Sequence, residues 1–333
     1  MSSLSKGSPY LTGLSAYLQA HPEAVCVSCG DDTLSRLEER MSELPSGLIA
    51  LPSAPSAAVA FCAGLAREGF RPLLHMSAAA LSRGAYEVIL SQLAAPCLPV
   101  VLVGLEAGLA REGGVGAQAI DDLSLMGGLP NMCVLEPGDA VELEGALERV
   151  HTLQGPVYLR ATTQRAPTLF EGAEEQGGLK VLGRGDELLV VSAGRLSAEV
   201  LRVSEALKEA RVGLTHLHLS QLTPFPSEVI KERLSEGHFQ VVICLEEQLG
   251  AGLLSRGLSR LLCGLGELKS APPMVELSLH QSFAQGGRRS YLLRKYGLDA
   301  GALLSAVERA LKRRLGVIIS ELPPSAWPDE PSP

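Results

Sequence analysis

Aromatic side chains are scarce: six Phe, six Tyr and one Trp make up 4% of 333 residues. A site built from stacked rings has few rings to draw on. Basic charge is in deficit, with 29 Lys and Arg against 37 Asp and Glu and a formal net charge of -8. With no basic block, that balance argues against general nucleic-acid binding, which needs a cationic surface. Long apolar runs are missing too. The most apolar stretch, Leu93 to Leu105, is broken by Pro96 and Pro99 and is too short to span a bilayer. Met1 to Leu11 lacks the sustained apolar core of a secretory signal. The expectation is a soluble cytoplasmic protein with no membrane and no nucleic-acid partner.

Nucleotide-loop motifs are absent: there is no Walker A sequence and no GxGxxG after a strand. Metal spacing is nearly absent as well. Cys26-Val-Ser-Cys29 is a lone CxxC, and no second CxxC or spaced His pair completes a zinc set, so no metal site is expected. His216 and His218 alternate on one strand without an evident third ligand and read as structural. Cys62, Cys97, Cys133, Cys244 and Cys263 sit among apolar neighbours and read as buried free thiols.

What is present is a regular alternation of short apolar runs and helical patterns, long enough for about two domains at ~150 residues each. Strands are expected at 24–27, 72–76, 99–104, 131–135 and 156–160, and helices at 56–67, 83–93 and 139–152. Asp139-Ala-Val-Glu142 opens the last of these as a capping box would. Residues 166–182 break the rhythm with Pro167, an acidic run and Gly177-Gly178, and read as a linker. Strands follow at 188–191, 214–219, 241–244 and 274–279, and helices at 197–210, 227–234, 253–265 and 302–314. The proline-rich end reads as disordered. The fold class is α/β, with two open, mainly parallel domains.

An ordered series of motifs runs along this frame. It comprises Ala63-Gly-Leu-Ala66, Ala85-Tyr-Glu-Val-Ile89, Asp121-Asp-Leu123, Leu129-Pro-Asn-Met with Pro137-Gly-Asp-Ala-Val-Glu142, and Gly155-Pro-Val-Tyr-Leu-Arg160. Thr223-Pro-Phe-Pro226, Leu245-Glu-Glu-Gln-Leu-Gly-Ala-Gly252 and Tyr296-Gly-Leu298 continue it. The series resembles the C-terminal section of the transketolase family over roughly residues 10–315; the β-subunits of 2-oxo acid dehydrogenases are the nearest rival. The resemblance implies a pyrimidine-binding-like domain at 8–165, a linker at 166–182, a transketolase C-terminal-like domain at 183–315 and a tail at 316–333. It further implies a half-enzyme. Thiamine diphosphate and its Mg2+ would be held mainly by a partner, a separate N-terminal-section subunit carrying the Gly-Asp-Gly…Asn motif that this chain lacks. A homodimer core within a heterotetramer would follow, as would two-carbon ketol transfer.

The same resemblance marks where chemistry is missing. The family places a Glu at the start of the helix ending in Ala-Gly-Leu-Ala. That acid promotes the imino tautomer of the aminopyrimidine and so forms the ylid. Here the position is Pro55, residues 53–60 contain no acid, and Glu43 is far upstream. The aromatic positions beside the pyrimidine fall on Ala78 and Leu81, near Tyr86; these three are the candidate cofactor contacts. In the loop Arg111-Glu-Gly-Gly-Val-Gly-Ala-Gln118 the family's Asp and His fall on Gly113 and Ala117, while Glu112 and Gln118 remain. The Arg pair for a sugar phosphate is represented by Arg160 and Arg165, with Thr163 at the second aligned position. The Glu-Glu-His triplet has become Glu246-Glu-Gln248. Three readings stay open: a split transketolase subunit with an altered site, an acid supplied by another chain, and a non-catalytic homologue that stabilises or regulates a complex.

Overall fold

The computed structural model describes residues 8–30, 48–163, 165–176, 178–250, 252–266, 271–280 and 282–327. In the first domain the strands are β1 (Ala24–Cys29), β2 (Ile49–Leu51), β3 (Arg71–Ser77), β4 (Val101–Leu105), β5 (Cys133–Leu135) and β6 (Val157–Ala161). In the second they are β7 (Glu174–Gln176), β8 (Leu179–Leu182), β9 (Leu188–Ala193) and β10 (Leu214–Leu219). These are followed by β11 (Gln221–Thr223), β12 (Val241–Leu245) and β13 (Met274–Leu277). The two sheets run β11-β5-β6-β4-β3-β1-β2 and β13-β12-β9-β10-β8-β7. Pairing is parallel except at β5–β11, β8–β10 and β7–β8. The expected α/β class is therefore the observed one.

The central strands form because they are predominantly apolar, with Arg160 on β6 and Ser192 on β9 as the polar exceptions. Every residue of β4, β6, β9 and β12 is buried, the mark of parallel strands covered on both faces. Residue parity then sorts side chains. Cys26 and Cys29 lie three apart on β1, so one thiol joins the core below the sheet and the other the core above it. That separation rules out joint chelation by the CxxC. Burial pushes the Cys26 thiol up to about 12.

Helices cover both sheets: α1 (Pro9–Ala20), α2 (Pro55–Arg67), α3 (Ala78–Gly84), α4 (Tyr86–Ile89), α5 (Asp122–Gly127) and α6 (Ala140–His151) in the first domain. The second has α7 (Ser197–Glu209), α8 (Ser227–Glu236), α9 (Leu253–Gly266), α10 (Arg289–Lys295) and α11 (Ala300–Leu311). Asp139 caps α6 by accepting from Glu142 N at 2.9 Å, and the Glu142 carboxylate accepts from Gly138 N at 2.7 Å. This is the capping box shifted back by one residue. Gly13 lets α1 approach α6 closely, since a Cβ there would lie 2.2 Å from Glu144 O.

Four expectations need correction. The linker at 166–182 is not a free connection: β7 and β8 extend the second sheet, and Leu179 is fully buried in a core shared by both domains. The helix expected at 83–93 begins at Ala78 and is divided into α3, α4 and a π turn at Leu90–Ala94, because the backbone departs from helical geometry at Ala85. The start of the tail is packed and not disordered. Pro323 O accepts from Arg202 Nε at 2.6 Å, Ser325 Oγ donates to Glu199 Oε1 at 3.0 Å, and Trp327 is buried. Cys97 and Cys263 are exposed thiols, while Cys62, Cys133 and Cys244 are buried as expected. Glu43 and residues 328–333 lie outside the described residues.

Candidate functional site

The carboxyl ends of strands from both sheets converge, which is where open α/β sheets hold ligands. The feature there is a buried charge cluster. Arg160, on β6, pairs with Asp122 at the start of α5 through Nη2 and, at 2.9 Å, through Nε. Its Nη1 reaches Glu136, just past β5, at 2.7 Å, and Nη2 also reaches Ala119 O at 3.2 Å. Asp122 further accepts from Tyr158 Oη at 2.5 Å and, across the domain boundary, from Gln248 Nε2 at 3.0 Å. Burial pushes Glu136 up, with Arg160 acting against it. Burial lowers Arg160, but Asp122 and Glu136 more than compensate and hold it charged.

The second domain contributes the rest. Glu247 accepts from Leu109 N at 2.6 Å and from Arg289. Its carboxylate needs Gly108, whose φ is +67° and where a Cβ would come within 2.6 Å. Glu246 accepts from Leu254 N and Ser255 N at 3.1 and 3.3 Å and so fills the N-terminus of α9. Burial pushes Glu246 up to about 7. An open cleft is lined by Glu106, Glu136, Arg160, Arg195, Glu247 and Trp327 among others.

The sequence-derived residues fall in three places. Gln118 is fully buried and donates to Arg111 O and Gln285 O, both at 3.1 Å, so it ties the 111–118 loop to the second domain. Glu112 is exposed on the same loop, 3.9 Å from Arg288. Arg83, at the end of α3, holds that loop through Val115 O at 2.7 Å and Gln118 O at 2.8 Å. Arg160 is 7% exposed, and its guanidinium is engaged by two carboxylates and a carbonyl. Arg165 is exposed and takes no part in the cluster. Ala78 and Leu81 are fully enclosed by the chain's own side chains, and Tyr86 is half-buried. Pro55 occupies the first turn of α2, where a missing N–H costs nothing.

His216 and His218 belong to a separate polar chain. Ser192 Oγ lies 2.8 Å from His216 Nε2 and 2.7 Å from Ser197 Oγ, which lies 2.6 Å from His218 Nδ1. His218 Nε2 is 2.9 Å from Glu142, and Lys180 pairs with the same carboxylate. Burial raises Glu142, but His218, Gly138 N and Lys180 outweigh it and hold the carboxyl at about 2. The Ser–His–Glu order has the contacts of a nucleophilic triad. Ser197 and His218 have no exposed surface, so no substrate reaches them and the chain is structural.

Residues 15–168 match the family model described as the transketolase pyrimidine-binding domain. A protein of Methanocaldococcus jannaschii, provisionally named a transketolase C-terminal section, is 26% identical over 260 residues, 77% of this chain and 80% of that protein. Over residues 15–168 the chain is similar to the transketolase pyrimidine-binding domain, and over most of its length it is similar to transketolase C-terminal sections. It also matches a 6-deoxy-6-sulfo-D-fructose transketolase subunit of Clostridium sp. (strain MSTE9), 26% identical over 309 residues, 92% of this chain and 94% of that one. A solved structure described as a split-gene transketolase, inactive β4 tetramer, superposes with a TM-score of 0.78 at 25% identity. It covers 91% of this chain and 97% of that chain.

At the positions that the resemblance assigns to the pyrimidine site, the residues differ from the family pattern. Pro55 offers no proton, residues 53–60 offer no carboxylate, and Ala78 and Leu81 present no free face. The residues present therefore do not fit an activated aminopyrimidine. Sequence reasoning missed the charge cluster because Asp122, Glu136 and Arg160 are far apart in the chain. The available signal was position: Glu136 directly follows an apolar strand and Arg160 sits near the end of another.

Proposed function

We propose that this chain is the C-terminal-section subunit of a split transketolase-type enzyme. It would assemble with a separate N-terminal-section subunit that holds thiamine diphosphate and Mg2+, for two-carbon ketol transfer between sugar-like substrates. Within that complex it supplies a rigid two-domain frame and the 111–118 loop, and not the activating acid. The end-to-end match to a split-gene transketolase carries the subunit assignment, and Pro55 carries the limit on chemistry.

Pro55 together with the enclosed Ala78 and Leu81 favours a second reading, a non-catalytic homologue that stabilises or regulates such a complex. One experiment separates them. The chain is co-expressed with an N-terminal-section subunit that carries the Gly-Asp-Gly…Asn motif, and the purified pair is titrated with thiamine diphosphate and Mg2+. Ketol transfer and hydrogen–deuterium exchange at the thiazolium carbon are then measured. Cofactor binding with transfer supports the subunit reading. A stable pair with neither exchange nor transfer supports the regulatory one, and Pro55→Glu then tests whether the acid alone is missing. Failure to associate with any N-terminal-section chain overturns both.

A further inference from the structure

We propose that His21, Glu23 and His151 form a site for one borderline divalent transition cation, zinc foremost, distinct from the cluster at the domain boundary. The three side chains come from two helix ends and a turn. His21 ends α1 as its C-cap residue, Glu23 follows before β1, and His151 is the last residue of α6. The close approach at Gly13 sets α1 against α6 and so brings the two histidines together. One ligand atom from each residue lies within 4.8 Å of the others.

The contacts have the form of ligands short of an ion. Glu23 Oε1 is 3.6 Å from His21 Nδ1 and 4.0 Å from His151 Nδ1. Both are too long for a hydrogen bond. Zinc with bonds of about 2.0–2.1 Å sets neighbouring tetrahedral ligands about 3.3 Å apart, so a modest contraction suffices. On its far side His21 Nε2 is buried and hydrogen-bonded to nothing, with Glu148 Oε2 3.5 Å away. Glu148 is thus placed to accept from Nε2–H and leave Nδ1 free to ligate, the carboxylate–histidine–metal arrangement of many zinc sites. His151 Nδ1 lies 3.2 Å from the Tyr17 hydroxyl. Giving that nitrogen to a cation costs one hydrogen bond. The imidazoles are stacked, centroids 3.8 Å apart and planes 24° apart, so they must swing apart to aim at one ion. Both rings are partly exposed, at 19% and 33%, which gives them room to move and an ion a path in. Two imidazoles and a carboxylate, with water completing the set, suit zinc better than Mg2+ or Ca2+, which prefer oxygen.

The test uses the full chain with any tag removed and with the exposed Cys97 and Cys263 changed to Ser, so that thiols cannot compete. Zinc alone is titrated against a chromogenic chelator. One equivalent is expected to bind at micromolar concentration, with a nitrogen and oxygen shell by X-ray absorption. Binding is lost in His21→Ala and in His151→Ala, and weakened about 10-fold in Glu148→Gln. Circular dichroism in EDTA verifies that each variant is folded, and His151→Gln replaces any alanine variant that is not. No stoichiometric uptake, uptake that persists in either histidine variant, or a sulfur shell overturns the proposal.

Discussion

Asp122 is the residue whose loss tests the boundary cluster most directly. In Asp122→Asn the side chain keeps its size but loses its charge and turns one acceptor into a donor. Four contacts suffer: two from Arg160, one from Tyr158 and one from Gln248. Breaking a buried ion pair costs about 3–5 kcal/mol when it strands a charge. Here Arg160 keeps Glu136 at 2.7 Å, so the charge term falls at the low end. Stranded donors add about 1–3 kcal/mol each but not independently. The expected loss is about 3–4 kcal/mol, or roughly 6–16 °C in Tm at about 2–4 °C per kcal/mol for a domain of this size. Arg160→Met should cost more, because it leaves two buried carboxylates without a counter-ion. Glu136→Gln should cost least, below about 1.5 kcal/mol, because Asp122 still neutralises Arg160 and burial already disfavours the Glu136 charge. Urea unfolding gives the order. Far-UV circular dichroism reports the whole chain, and Trp327, the only tryptophan, reports the boundary by fluorescence. A loss under about 1 kcal/mol for Asp122→Asn, or Glu136→Gln costing more than Arg160→Met, would falsify this account of the cluster.

Two further outcomes are expected. Burial lowers His216 to about 3 and His75 to about 4, against a usual 6.5. Below pH 6.5 the unfolded chain takes up protons that the native histidines refuse. Stability present above that pH is therefore lost as pH falls toward 4, at about 1.4 kcal/mol per unit for each group. Urea midpoints at pH 7, 6, 5 and 4 check this, and a slope unchanged in His216→Gln would remove His216 from the explanation. Trp327→Ala should lower stability by about 3 kcal/mol, because it empties a buried site and removes the ring 4.4 Å beneath Arg195. Calorimetry is the measurement, and an unchanged Tm would mean the tail contributes nothing.

The long central strands were legible because each is a mostly apolar run whose burial needs no information from elsewhere. Val101–Leu105 and Leu188–Ala193 are of that kind. The short strands β2, β7, β8 and β11 were not, since three or four residues acquire strand character from the neighbour they pair with. Arg160 shows the same limit in the site. Its type fits a phosphate, but its partners Asp122 and Glu136 are 38 and 24 residues away in the chain, and only the topology brings them together. Pro55 was the reverse case: an absence at one position is readable without any structure, and the fold adds only why proline is tolerated there.

Gln221–Thr223 begins just after β10 of the second sheet, yet it closes the outer edge of the first. During synthesis the edge at β5 therefore stays unpaired until Thr223 has left the ribosome, although the first domain's own strands end at Ala161. The consequence reaches to gene architecture. A cut between the two domains would leave one fragment with an open edge and the other with an orphaned strand. Closing the first sheet therefore requires that one chain carry both domains.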